Sequence, residues 1–440
     1  MNDVLGLPGN VMKKWSLISA KKRDFLSRVI LLLPFCVMLI IAGLNFRLIG
    51  DEGPYTIRVV EIFSNEWPFP NIFNYGSSTT PLPYLLFTFI GKIVGFEIWK
   101  LRLITLILTI LAVNLFYDLC KQQKLPLPLF CALTLSLFPY ILFHGFTVYT
   151  VCFALFFEIL ALKYYLVENP TLNDVIKGSI AATLAIFCRQ EYLALPVGLL
   201  LYELFRIPKG NLFSTIKSRF LLWFILAAPL MLILPLFILW GGTTPPQLQT
   251  SSYLTIVPQH INIFPMLIGF YFFPALLSKK LNKLSSSKLL VFFTFLFLAP
   301  VFIIFPLNYS DEMAKIAVGT GIIPHGIDII SQYLGSVAGF IIKVFLWMTG
   351  VLLMLSQIVD EKLDSLKVKL FSILTAFILL ISLTPYVAER YYVLTIAPLI
   401  LIFNKTKRDW KIYILWLLFL ILVSSVFSYW EIYIKSFESW

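Results

Sequence analysis

Charge is what this chain has least of. Asp, Glu, Lys and Arg make up 13% of its 440 residues, against about 25% in a soluble globular domain. With 59% hydrophobic residues alongside, that scarcity excludes a soluble globular protein. Histidine is almost missing. His144, His260 and His325 fall in three different loops, so no metal cluster is expected. The five cysteines, Cys36, Cys120, Cys131, Cys152 and Cys188, lie in or at the ends of apolar runs and read as small buried hydrophobes. The chain has no Gly-rich phosphate loop, no HExxH, no internal repeat and no low-complexity linker. Cytoplasmic nucleotide or nucleotide-sugar binding therefore has no place to occur, and no cofactor is expected.

What the chain does have is long apolar runs. About 20 apolar residues cross a bilayer as a helix. Such runs occur at 29–48, 101–119, 126–144, 147–166, 174–188, 190–206, 219–240, 262–278, 288–306, 336–357, 368–385, 390–404 and 411–430, about 13 in all. The expected fold is all-α, a polytopic membrane bundle. The net charge of +12 does not point to nucleic acid, because Lys and Arg fall in short segments between the runs. There they act as topology signals.

The first run has no small-residue cleavage site and follows Lys13, Lys14, Lys21, Lys22, Arg23 and Arg28. It reads as a signal anchor with residues 1–28 in the cytoplasm. The basic segments 119–125, 163–177, 206–219, 279–288, 358–369 and 404–411 are then cytoplasmic as well. The transmembrane region covers 29–430, and 431–440 form an external tail. Residues 81–99 would reverse every later loop if they crossed. They read as a helix lying at the interface, inside a first external region of 49–100 that also holds a helix at 55–64.

This topology gathers the unusual polar residues on the non-cytoplasmic side. Asp51 and Glu52 follow the first span directly. A carboxylate there can act as a general base on a hydroxyl, hold a cation, or simply be solvated. Arg189, Gln190 and Glu191 interrupt apolar sequence, as do Glu389, Arg390, Tyr391 and Tyr392. External arginines at span ends oppose the positive-inside trend, and guanidinium binds phosphate bidentately. An Arg189–Glu191 or Arg189–Glu52 pair, and snorkelling of Arg390, are the structural alternatives. His260 could touch a sugar or a phosphate. The Asn308 triplet is an external sequon.

The order of these pieces resembles the GT-C superfamily of membrane glycosyltransferases. The relevant segments are GDEGPYTIRVVEIF, TTPLPYLLFTFIGKIVG and WKLRLITLILTILAVNLFYDL. Within that superfamily the chain is similar to the dolichyl-phosphate-glucose-dependent α-1,2-glucosyltransferases. The matching residues are Asp51-Glu52, Phe138-Pro139 with Tyr149-Thr150, Cys188-Arg189-Gln190-Glu191, Gly241-Gly242 and Glu389-Arg390-Tyr391-Tyr392. The chain departs where the family has an acid and it has Val151, and in the segment TTPPQLQTSSYLTIVPQH, which keeps only His260.

The resemblance implies an inverting glycosyltransferase, with a polyisoprenyl-phosphate sugar as donor and a glycan or lipid-linked sugar as acceptor. Asp51 is expected as base, with Glu52 as its alternative or as a positioning group. Arg189 and Arg390 are expected on the phosphate. Gln190, Glu191, Glu389, Tyr391, Tyr149 and His260 are expected on substrate. No metal is required, because the arginines supply the positive charge; a metal held by Asp51 and a histidine is the alternative. The protein is expected to be a monomer in a prokaryotic plasma membrane, or in the endoplasmic reticulum of a eukaryote. A transporter or flippase for a lipid-linked sugar is the competing class, although no inverted repeat or paired half-helices mark one.

Overall fold

The computed structural model describes residues 19–207, 217–248, 259–278, 321–359, 364–384, 388–405 and 410–434. The expected span at 288–306, the Asn308 sequon, and Asp311 and Glu312 lie outside them. Among the described residues all regular structure is helical. Five helices are long and apolar enough to cross a membrane: α1 (Ala20–Ala42), α4 (Ile98–Gln122), α10 (Phe220–Trp240), α13 (Ser336–Val359, apolar to Ile358) and α16 (Trp410–Tyr429, continued by a wide turn to Ile434). Their outer faces expose large apolar side chains such as Ile40, Ile238, Phe340 and Leu422. Water would not tolerate so continuous an apolar surface. The chain is a multi-pass membrane protein.

The other helices are shorter, and their breaks follow from local chemistry. They are α2 (Arg58–Asn65), α3 (Leu82–Val94), α5 (Pro128–Ser136), α6 (Pro139–His144), α7 (Val151–Tyr165), α8 (Leu172–Cys188), α9 (Ala194–Phe205), α11 (Gln259–Tyr271), α12 (Ile322–Leu334), α14 (Ser365–Ile381) and α15 (Val393–Phe403). The expected span at 126–144 is two helices. Pro139 has no N–H to continue the ladder and holds Phe138 extended, at φ −65° and ψ 126°. The expected first span at 29–48 is also displaced. Its helix starts at Ala20 and stops at Ala42, where Gly43 takes φ 67°. The expected helix at 55–64 is α2, preceded by a wide π-turn over Glu52–Ile57 that contains Pro54. The expected span at 262–278 is helical to Tyr271, and a 3-10 turn around Pro274 follows. Helix α12 has no counterpart in the hydrophobic runs, because its apolar residues are spaced on one face. Helix α3 covers 13 residues, about 20 Å at 1.5 Å each, too short for a core of about 30 Å.

The chain alternates between two ends of the bundle. At one end Arg28 of α1 donates to Asp24 at 3.1 Å and to Asp118 of α4 at 2.6 Å, and Lys121 reaches Asp24 at 2.6 Å. At that same end Lys369 Nζ donates to the Tyr165 carbonyl at 3.0 Å, and Lys405 pairs with Asp364. The C-terminus of α1, the N-termini of α4, α7, α9 and α15, and the turn after α16 meet at the opposite end. Helices α11 and α13 cross at Gly269 and Gly350, where a Cβ on either would overlap a carbonyl of the other helix. The crossing fixes α11, whose His260 braces the turn before α15.

Candidate functional site

Six segments converge at the end opposite Arg28. Each enters through a break in regular helix, so side chains near helix termini face one another. The cleft between them is lined by Ile49, Gly50, Asp51, Glu52, Tyr140, Phe143, His144, Thr147, Tyr149, Arg390, Phe427 and Glu431.

The two adjacent acids have different surroundings. Glu52 is 1% exposed and surrounded by donors. Arg102 in the first turns of α4 donates through Nε to Oε1 at 2.8 Å and through Nη2 to Oε2 at 2.6 Å. The Val148 N–H adds a bond at 2.7 Å, and the Ile49 N–H one at 3.3 Å. Arg102 itself is fully buried. It also donates to the carbonyls of Leu44, Phe46 and Arg47 and lies 3.7 Å from the Phe46 ring centroid. A bidentate, charge-assisted pair of this kind closes both groups to substrate. It also straps the irregular segment after α1 onto α4.

Asp51 is half-buried and faces the cleft. Its Oδ2 meets Arg390 Nη1 at 2.5 Å and accepts from the Tyr149 hydroxyl at 3.1 Å. Arg390 stands in a 3-10 turn, Glu389–Tyr392, just before α15. Arg189 occupies the matching place before α9, followed by a 3-10 turn over Gln190–Leu193. It pairs with Glu191 at 2.5 Å and donates to the Thr150 hydroxyl at 3.2 Å. The two guanidiniums flank the same rings. Arg189 lies 5.9 Å from the Tyr149 centroid and 5.7 Å from that of Tyr391; Arg390 lies 6.0 Å and 5.5 Å from them. Helix N-termini add positive potential at this end. The arrangement suits an anion held by two arginines, beside a carboxylate able to accept a proton.

Of the expected site residues, Asp51, Glu52, Tyr149 and Arg390 line the cleft; Arg189, Glu191 and Tyr391 stand behind its lining, and Gln190, His260 and Glu389 are engaged elsewhere. Gln190 tethers the first external region, donating to the Ser78 carbonyl at 2.6 Å. His260 is fully buried, with Nδ1 2.8 Å from the Tyr392 hydroxyl and Nε2 3.0 Å from the Thr384 carbonyl. Both ring nitrogens are occupied in packing. Glu389 also points inward. It accepts from the Tyr271 hydroxyl and from the Ile323 N–H at 3.1 Å. The expected Arg189–Glu52 alternative is not formed; Glu52 belongs to Arg102. The residues that sequence reasoning missed are Arg102 as the partner of Glu52, His144, Thr147, Tyr140 and Glu431. Arg102 carried a signal, since an arginine in an apolar helix needs a partner. Glu431, expected in a solvated tail, lines the cleft because the last helix continues into a wide turn, Trp430–Ile434.

No family model matches the chain, and no curated protein matches its sequence. Among solved structures it is similar to the crystal structure of ArnT from Cupriavidus metallidurans bound to undecaprenyl phosphate. The identity is 15% and the TM-score 0.41, over 93% of this chain and 78% of that one.

Glu389 provides a pH test of the packing behind the site. Burial pushes its carboxyl up to about 7, against the opposing hydrogen bonds from Tyr271 and Ile323. Its folded pKa thus lies above the ordinary carboxylate value of about 4.3. Stability from this group is fully present below that ordinary value and is lost as pH rises through about 7. Glu389→Gln, which imitates the protonated acid, should remove this loss. Thermal unfolding in detergent at pH 5 and pH 8 should show wild type falling relative to the variant. Parallel behaviour of the two proteins would refute it.

Proposed function

We propose that the chain is an inverting glycosyltransferase. It moves a sugar from a polyisoprenyl-phosphate donor to a hydroxyl of a glycan or lipid-linked acceptor, on the non-cytoplasmic face. One observation carries the reading. At one end of a membrane bundle, a half-buried carboxylate, Asp51, touches one of two arginines that flank the same pair of tyrosines. A lipid-linked phosphate suits such a site, because its tail stays among apolar helices while its anion reaches the arginines at their ends.

In this reading the donor phosphate sits on Arg189 and Arg390, with the Tyr149 and Tyr391 rings between them. Asp51 takes the proton of the acceptor hydroxyl. The acceptor oxygen forms a bond to the anomeric carbon as the bond from that carbon to the phosphate oxygen breaks. The leaving phosphate keeps the electron pair, and the arginines hold its charge. One displacement inverts the anomeric centre. A phosphate also competes with Asp51 for Arg390, so donor binding frees the base. Glu52 positions Asp51 through its bonds to Arg102 and Val148. Glu191 and Gln190 hold the Arg189 turn, and Glu389 and His260 hold the Arg390 turn from behind. Glucose is the sugar that the sequence resemblance suggests.

Purified protein incubated with a panel of radiolabelled polyprenyl-phosphate sugars tests the reading. Transfer or release of sugar supports it and names the donor. Folded protein that binds these lipids without turnover would favour transport or flipping. Arg390→Ala should lower kcat by about 10²–10³-fold, the cost of removing one strong contact to developing charge. Arg390→Lys should recover only part, because an ammonium cannot bridge two phosphate oxygens. If both variants keep wild-type kcat, Arg390 is not on the leaving group.

A further inference from the structure

One wall of the cleft has no role in the reading above. It is built from α6 and from the C-terminal end of α16. His144, the last residue of α6, stacks on Tyr149 with centroids 4.4 Å apart and planes 10° from parallel. Its Nδ1 lies 3.4 Å from the Thr147 hydroxyl oxygen, and that hydroxyl donates to the His144 carbonyl at 3.5 Å. The second ring nitrogen, Nε2, donates or accepts according to the tautomer. It is buried and has no hydrogen-bond partner among the described residues. A polar atom in that condition costs free energy until something supplies a partner.

Its neighbours define the ligand. Phe427 packs against Tyr140 at 4.9 Å and against Phe143 at 5.3 Å, and Glu431 follows on the turn. Around His144 the wall is made of the faces of Tyr140, Phe143 and Phe427. A phosphate offers these rings no apolar surface, and a hydrocarbon tail offers the nitrogen no hydrogen-bonding group. A sugar ring satisfies both demands, with hydroxyls for the nitrogen and an apolar C–H face for the rings.

We propose that Tyr140, Phe143, His144 and Phe427 form the subsite for the acceptor sugar, with His144 Nε2 hydrogen-bonded to one of its hydroxyls. The inference rests on the glycosyl-transfer reading. The placement follows from the cleft itself, since this wall shares it with Asp51, the base for the acceptor hydroxyl. His144 is a positioning residue here.

The test is steady-state kinetics of the full-length protein with an undecaprenyl-phosphate hexose as donor. Methyl hexopyranosides and their singly deoxygenated forms serve as acceptors. His144→Ala should raise the acceptor KM about tenfold, the value of one hydrogen bond, with the donor KM unmoved. His144→Asn, whose amide can donate or accept, should recover most of that rise. One deoxy acceptor should lose about tenfold with wild type and nothing further with His144→Ala. An unchanged acceptor KM, or a rise in the donor KM instead, would overturn the assignment. Should His144→Ala not fold, the deoxy series read against His144→Asn decides the same question. Wild type that turns over no donor would overturn the glycosyltransferase reading, and this subsite with it.

Discussion

Asp51→Asn is expected to reduce sugar transfer by on the order of 10⁴-fold, the upper range for loss of a general base, in protein that still folds. Asparagine keeps the volume and one acceptor oxygen for the Tyr149 hydroxyl, but it cannot take a proton. The folding control follows from exposure. The Asp51 side chain is 27% exposed and that of Arg390 23%, so the substitution leaves no sealed, uncompensated charge. Water reaches the guanidinium that the substitution leaves behind, so the stability cost stays below that of breaking a sealed pair. Turnover from a donor panel and thermal unfolding in detergent should therefore separate: activity collapses while the unfolding midpoint moves by a few degrees. Wild-type turnover in this variant would remove Asp51 from the base role.

Its neighbour should behave in the opposite way. Glu52→Ala or Arg102→Ala is expected to destabilise the fold by about 3–5 kcal/mol, because each leaves the other's charge buried without a partner. That is a large share of a net stability of about 5–15 kcal/mol, so low yield and early unfolding should precede any kinetic effect. Glu52→Ala would strand Arg102, which has no exposure, against three carbonyls with no counter-charge. Glu52→Ala/Arg102→Ala should be less destabilised than the two single changes summed, since removing both charges spares the desolvated orphan. Single variants as stable as wild type would show that the pair does not hold the segment after α1.

Contrasting these two substitutions separates catalysis from scaffold at adjacent positions. Sequence alone favoured Asp51 as the base with Glu52 as its alternative, because both are carboxylates at one span end. The difference lies in what folds beside them. The gap from Glu52 to Arg102 is 50 residues, and to Val148 it is 96. No local pattern reports such a pairing. Arg189 and Arg390 were legible as arginines breaking apolar sequence at span ends. That they flank the same two tyrosines follows only from the packing of α7, α9 and α15. Glu389 and His260 were misplaced for a related reason. A polar residue beside a span can face the cleft or the packing behind it, and hydropathy is the same either way. Helix lengths were overestimated at Pro139 and Gly43, whereas Pro229 and Pro235 lie inside an unbroken α10. A sliding window sums hydrophobicity and does not see a missing N–H or a positive φ.

The sequence by itself determined that this is an all-helical membrane chain with alternating segments and its unusual acids and arginines near span ends. Those properties are local sums of side-chain transfer free energy and charge, and they survive any arrangement of the helices. Only the tertiary structure decided which acid faces the cleft and which is locked by a buried arginine. It also decided that Glu431 returns to the cleft and that His144 keeps an unpartnered nitrogen there. Each depends on which distant donor reaches a group first, and that is settled by packing between helices far apart in the chain.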